Sequence, residues 1–427
     1  MNLPHYGWVI LYGFLALANA LWTFRYHRRG EKGKQAVGVI FGGVFLVLGV
    51  LSAGALLYRF TVQLGIWIDA IFSLPVLSIC LWAMIFLAWW QASVFCRPEV
   101  IWTVGNLAAL LLSFWLSTPA GAARLRRAED MAVLGALVVT AGFLGCGLRL
   151  AALNDRRRRE GQPVWEQVFS QKVPTWPDLV YIELICMLFV LAGLLVWSLL
   201  APAPLEAPAN PAITPNPAKA PWYFVGLQEL LVYFDATFAG VILPGLMIVG
   251  LLLLPFLDPN PRGNGYYTLK ERPLATAIFL LGFLGLWWYL IFLGTFLRGA
   301  NWSYVPPFQS GELPLTVGTT RSLSEVFWTE WLGVGLGGQE QSGCRSFAMI
   351  LIRESPGLVL LFLYFWVLPV VAARGVLRPL RSQLGRARYW LVCFLILMML
   401  AIPVKMLLRW LCHLNYLVAM PEYRFNF

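Results

Sequence analysis

Apolar residues run in unbroken stretches along this chain rather than alternating with polar ones. Ten runs stand out, at roughly 7–24, 37–58, 66–93, 99–118, 131–150, 179–200, 238–257, 274–297, 356–373 and 389–411. Each is close to the roughly 20 residues that a helix needs to cross a bilayer. Inside hydrocarbon every backbone N–H and C=O must find a partner within the protein, which leaves helices or closed barrels. Continuous rather than period-two hydrophobicity selects helices. The predicted fold class is all-α: a polytopic transmembrane helical protein of about ten spans. The third run is long and holds Pro75, so a tilt or break is expected there. Met1–Tyr6 carries no positive segment, so the first helix is expected to be retained rather than cleaved.

Composition agrees. Hydrophobic residues make up 59% of the chain and charged residues 12%, about half the charged share of a soluble domain. The net charge of +11 would suit nucleic acid, but its distribution follows topology. With the N-terminus outside, the loops 25–36, 94–98, 151–178, 258–273 and 374–388 are cytoplasmic. They and their helix ends hold about 20 of the 32 Lys and Arg residues. This is the positive-inside bias, and it argues against nucleic acid as a partner. Arg124, Arg126 and Arg127 in the outer loop 119–130 run against the pattern. The seven cysteines form no CxxC or CxxCH motif, so neither a zinc site nor a c-type haem site is written here. Cys80, Cys146, Cys186 and Cys393 lie in apolar runs and are expected to pack in the core. Cys344 is expected to be a free thiol on the outer side.

The runs group into three regions. Residues 1–150 hold five closely spaced helices, and Gly38, Gly42, Gly43 and Gly49 in the second predict close helix packing. Residues 151–310 begin with Asn154-Asp155 and the basic run Arg156–Arg159. Residues 311–427 add two further spans. The outer segment 201–237 opens with seven prolines between Pro202 and Pro221, which predict extended coil. It continues as WYFVGLQELLVYF, with apolar residues at helical spacing. That stretch is too short to span and reads as an amphipathic helix at the membrane interface. His5, His27 and His413 are the histidines of the chain. No span has a central one, so the usual pair of axial ligands for a b-type haem is missing.

The order of motifs from Thr175 carries a resemblance. Trp176-Pro177-Asp178 leads into a span, and a Pro-rich loop ends in Pro221-Trp222-Tyr223-Phe224. LPFLDPNP follows the next span, and ERPLATAIFLLG opens the one after. This resembles subunit IV of the plastoquinol-oxidising cytochrome bf complex and the C-terminal half of cytochrome b in bc complexes. The strongest likeness covers residues 176–273. RGANWSYVPPF (298–308) and the segment 401–427 resemble, more distantly, extensions of bacterial menaquinol-oxidising relatives.

The resemblance implies a haem-free subunit of a quinol:cytochrome c oxidoreductase in a bacterial inner membrane. Quinol, menaquinol in particular, would be oxidised in an outer-side pocket lined by Pro221, Trp222, Tyr223, Phe224 and Tyr233. The b-type haems would sit in a partner cytochrome b N-terminal subunit, and the 2Fe-2S cluster in a Rieske protein. A c-type cytochrome and a dimeric complex complete the implied assembly. The alternative is a quinone-binding anchor of another respiratory complex, without Rieske-linked bifurcation.

One departure matters. The family's loop carries a PEWY glutamate, proposed to accept a quinol proton. Pro221 stands at that position here. Glu229 lies two helical turns beyond Trp222–Tyr223, placed to face the same pocket, and is the candidate proton acceptor. An apolar pocket would raise its pKa toward values useful for relay. The other reading has Glu229 facing interfacial water or pairing with Lys219. Asp178 is expected to cap its span. Lys405 and Arg409 are expected to meet a partner's carboxylate or haem propionate, or to snorkel.

Overall fold

The computed structural model describes residues 5–52, 67–69, 73–118, 128–168, 173–200, 214–258, 266–308, 321–335, 347–375, 377–423 and 425–427, with a few isolated positions between them. The N-terminal block consists of α1 (His5–His27), α2 (Lys32–Ser52), α3 (Leu74–Trp90), α4 (Pro98–Ser117) and α5 (Ala128–Arg159). The middle of the chain forms α6 (Thr175–Leu200), the short α7 (Trp222–Leu230), α8 (Phe238–Leu257) and α9 (Pro273–Phe296). Next come α10 (323–331), α11 (Phe347–Arg353), α12 (Ser355–Arg374) and α13 (Arg378–Cys412). The chain closes in a small antiparallel ribbon, β1 (Ala419–Met420) with β2 (Phe425–Asn426). Among the described residues, nine helices are long and apolar enough to cross a membrane. The shorter apolar α3 has 17 residues. The protein is an all-α polytopic membrane protein.

Five prolines mark where helices begin. Pro75, Pro98, Pro273, Pro356 and Pro379 stand in the first turns of α3, α4, α9, α12 and α13, where the missing N–H has no intrahelical acceptor to lose. The break expected at Pro75 is therefore a helix start. α5 runs past the expected boundary at residue 150 to Arg159. Asn154 and Asp155 find tertiary partners there, and Arg156 pairs with Glu160 one turn on. Asp178 lies inside the first turn of α6 and makes no capping bond.

Three buried cores are packed among the described residues, and two of them hold most of the spans. The smaller of these two joins α1, α2 and α4 around Trp8, Tyr12, Ala16, Phe45 and Leu48. A Cβ on Gly38 would stand 2.9 Å from the Asn19 carbonyl oxygen, so α1 and α2 approach as closely as the glycine pattern predicts. Gly43 is different: nothing lies within 4 Å of where its Cβ would be. Between α1 and α4, Asn19 donates to Asn106 Oδ1 at 2.7 Å, and the Trp102 indole donates back to Asn19 Oδ1 at 2.8 Å.

The larger core gathers α3, α5, α7, α8, α9 and α13 around Tyr233, Leu290, Ile291, Leu293 and Met406. Cys393 is buried, but Cys80, Cys146 and Cys186 are exposed. Apolar side chains on spans face lipid or a partner as readily as they face the core, so the expected core placement of those three is corrected. Cys344 lies outside the described residues. α6 buries none of its residues within this chain.

The N-terminal block grips α9 at three levels. At one end the Trp115 indole donates to the Pro307 carbonyl at 2.8 Å. Midway, Ser78 and Tyr289 share a hydroxyl–hydroxyl hydrogen bond. At the other end Asp155 accepts from the Thr268 hydroxyl at 2.6 Å and from the Leu269 and Lys270 amides at 3.1 Å. These last contacts set the loop that leads into α9.

Candidate functional site

The nine residues of α7 start at Trp222, with Pro221 at the N-cap. Gln228 folds the preceding loop onto the helix: its Oε1 accepts from the Ala220 amide and its Nε2 donates to the Ala218 carbonyl, each at 2.8 Å. Lys219 reaches the Thr295 carbonyl at 2.7 Å, tying the loop to the end of α9. The buried face of α7 presents Val225 and Gly226 to α9. The two backbones come close because Gly294 has no side chain: a Cβ there would collide with Val225 Cγ1 and stand 3.2 Å from its carbonyl oxygen.

Glu229 lies on that buried face and is 0% exposed. Arg298, just beyond α9, meets it at two points, Nε to Oε2 at 2.9 Å and Nη2 to Oε1 at 2.5 Å. The Trp302 indole donates to Oε2 at 2.9 Å, and the Tyr233 hydroxyl donates to Oε1 at 3.1 Å. Each carboxylate oxygen thus accepts two hydrogen bonds, which fills its capacity. Charge-assisted, two-point contacts of this kind are the strong ones. Burial alone would push the Arg298 guanidinium down. The adjacent Glu229 charge outweighs that and holds it above its ordinary value. Burial also pushes the Tyr233 phenol well up, and the Glu229 charge adds to it.

The backbone of the Arg298 loop is strained to make this cluster. Asn301 (φ 52°) and Trp302 (φ 57°) both adopt left-handed conformations, which are uncommon for residues other than glycine, above all for bulky ones. Asn216 stabilises the first: its Oδ1 accepts from the Asn301 amide at 2.6 Å, and its Nδ2 donates to Asn301 Oδ1 at 2.8 Å. Arg298 Nη1 closes the loop onto the Trp302 carbonyl at 3.1 Å. The Pro-rich segment, α7 and the end of α9 are therefore joined through one polar cluster.

The expected site residues divide between two faces. Trp222, Tyr223 and Phe224 are 42%, 50% and 52% exposed, and Trp222 stacks on Trp288 at 6.3 Å. Tyr233 is buried against Trp410 and the Glu229 pair. Glu229 faces neither an apolar pocket nor interfacial water, and its cation is Arg298 rather than Lys219. Sequence reasoning missed Arg298, Asn301 and Trp302. The motif RGANW was visible, but Arg298 is 69 residues from Glu229 and no spacing rule links them.

Lys405 and Arg409 do not snorkel. Lys405 is 3% exposed and donates to the Asn415 carbonyl at 2.7 Å. Its ammonium stands 5.3–5.9 Å from the rings of Phe234, Tyr416 and Phe427. Arg409 donates to the Val232 carbonyl at 2.6 Å and also bonds Asn415. Together they bind the C-terminal segment to the turn that follows α7. His27 is the last residue of α1 and His413 caps α13, so these two cannot sandwich a haem within the bundle.

The fold and this cluster define a polytopic helical membrane protein built around an aromatic helix on a buried ion pair. Residues 208–303 match the family described as Cytochrome b(C-terminal)/b6/petD. The matched segment is similar to a family whose members are parts of cytochrome bc and b6f oxidoreductase complexes. It contains α7, α8, α9 and both partners of the Glu229–Arg298 pair, and leaves α6 outside. No solved structure matches the chain.

Proposed function

We propose that the chain is a haem-free membrane subunit of a quinol:cytochrome c oxidoreductase of the Rieske/cytochrome b type. It lies in a bacterial inner membrane with α7 on the outer side and contributes one wall of the site where quinol, menaquinol in this reading, is oxidised. The observation that carries this is the exposed aromatic face of α7 within the family-matched segment. Trp222, Tyr223 and Phe224 form a largely apolar surface with one phenol, the kind of lining that quinone-sized ligands take. The polar cluster beneath immobilises that surface, and a preorganised wall loses little entropy when substrate docks. In this reading the two electron acceptors would be held by partners: a Rieske 2Fe-2S cluster, which would pass its electron to a c-type cytochrome, and b-type haems in a cytochrome b N-terminal subunit. This chain shapes the pocket and supports proton release on the outer side.

Glu229 remains the candidate proton acceptor, yet its surroundings favour a positioning role. An acceptor must reach the quinol hydroxyl directly or through one water, and four donors already occupy the carboxylate. Glu229→Gln and Arg298→Gln, assayed in the assembled complex, separate the two roles. If Glu229 takes the proton, its variant loses kcat with an altered pH profile at unchanged KM, and Arg298→Gln differs from it. If the pair positions α7, both variants raise KM for quinol together. Tyr223→Ala tests the wall itself. Unchanged quinol kinetics in that variant removes the aromatic face from the site.

The second reading, a quinone-binding anchor without Rieske-linked bifurcation, is favoured by Pro221 at the position where the resembled family carries glutamate. Gentle purification through a tag on this chain decides between them. A Rieske protein and a haem-bearing cytochrome b half in the eluate support the first. A dehydrogenase without a Rieske protein supports the second.

A further inference from the structure

The end of the bundle opposite Glu229 carries a different chemistry. The end of α12 and the first turns of α13 hold Arg374, Arg378, Arg381, Arg386 and Arg388. Arg374, Arg378, Arg381, Ser382 and Ala373 line an open cleft of about 480 Å³. Among the described residues, none of these five arginines has a carboxylate within 4 Å. By contrast Arg156, Arg158, Arg272, Arg298, Arg321 and Arg353 each meet one.

The arrangement is unfavourable for the chain alone. Arg378 and Arg381 are one turn apart, where like charges repel. Both stand on the short stretch that opens α13, before its kink at Gly385. A single anion in the cleft answers that repulsion.

The cleft is built on a rigid base. Ala373, Leu384, Tyr389 and Cys393 form a small buried core beneath the turn, with Leu377 and Leu380 packed against it. The Tyr389 hydroxyl donates to the Pro369 carbonyl at 2.7 Å, fixing α13 to α12. A kink at Gly385 (φ 75°) separates the turn that bears Arg378 and Arg381 from the rest of α13. A positive-inside signal needs only the number of cations in this loop. It does not need them to converge on one cleft over a packed core.

Apolar surface continues from the cleft toward the membrane interior. Leu368 and Val371, one to two turns before Arg374, are 46% and 58% exposed. A soluble anion has no use for that surface, whereas acyl chains do. Guanidinium forks match phosphate geometry, and basic pockets beside spans on the cytoplasmic side take anionic headgroups. We propose that this cleft binds the phosphodiester headgroup of an anionic phospholipid, with its acyl chains along Leu368 and Val371. The site is independent of the quinol reading.

The test uses the full chain, purified in neutral detergent. Its Tm is followed by intrinsic tryptophan fluorescence while phosphatidylglycerol, phosphatidylcholine or inorganic phosphate is added. Phosphatidylglycerol is expected to raise Tm in a saturable way, with phosphatidylcholine and inorganic phosphate inert. Arg378→Gln/Arg381→Gln removes two charges and should weaken the effect roughly thirty-fold, at about one tenfold step per 1.4 kcal/mol and about 1 kcal/mol per arginine. Arg378→Lys/Arg381→Lys, which keeps the charge and loses the fork, should fall between and serves if the glutamine variant does not fold. Equal shifts with phosphatidylglycerol and phosphatidylcholine, or wild-type affinity in the variants, would overturn the site. A shift from inorganic phosphate alone would overturn its assignment to lipid.

Discussion

The Glu229 carboxylate and the Arg298 guanidinium meet in a two-point contact, fully enclosed between α7 and the loop that follows α9. The pair joins a nine-residue helix that cannot be stable by itself in water to the best-buried span of the family-matched segment. The outward display of Trp222, Tyr223 and Phe224 depends on that attachment.

Breaking the pair from one side strands a buried charge. Arg298→Ala is expected to destabilise the protein by about 3–5 kcal/mol, read as a fall in Tm in detergent. Glu229→Leu combined with Arg298→Met removes both charges and should recover part of the loss. A single variant that unfolds like wild type would mean that the pair contributes nothing.

The contact between α7 and α9 has no room for a methyl group at residue 294. Gly294→Ala should cost about 1–3 kcal/mol through overpacking against Val225. Val225→Ala in the same chain should relieve it, and a double-mutant cycle measures the coupling. Additive effects would show that the helices separate freely.

Lys405 holds the C-terminal segment through one carbonyl and three rings. Lys405→Met keeps most of the stem and removes the charge. Desolvated cation–π contacts are worth about 2 kcal/mol or more, so amide hydrogen exchange across 413–423 should accelerate while α1 and α2 are unaffected. Unchanged protection there would remove Lys405 from this role.

Asp155 caps the loop before α9 with three accepted hydrogen bonds. Asp155→Ala leaves those donors without their acceptor and should cost about 1–3 kcal/mol. Limited proteolysis reads the effect directly: cleavage within 266–272 should quicken. Wild-type resistance would show that Asn154 and Glu166 hold the loop without it.

Much of the fold was legible because its governing rule is local. A span is a run of apolar residues, and α1, α4, α8, α9 and α12 begin and end within a few residues of the runs that predict them. The misreadings came where a boundary depended on something distant. α5 outruns its apolar stretch because Asn154 and Asp155 have partners more than 100 residues away in the loop before α9. Exposed Cys80, Cys146 and Cys186 show the other limit. Hydropathy reports that a residue is in a span, not which way it faces.

The sequence by itself determined the membrane class, the short aromatic helix after the Pro-rich loop, and the likeness to the C-terminal half of cytochrome b. Each is carried by residues close together in the chain. Only the tertiary structure decided that Glu229 is enclosed by Arg298, Trp302 and Tyr233, and that Lys405 lies in an aromatic cage. It also decided that arginines from two helices line one cleft. Ion pairs and cages join residues that are far apart in sequence, and their geometry exists only once the helices have packed.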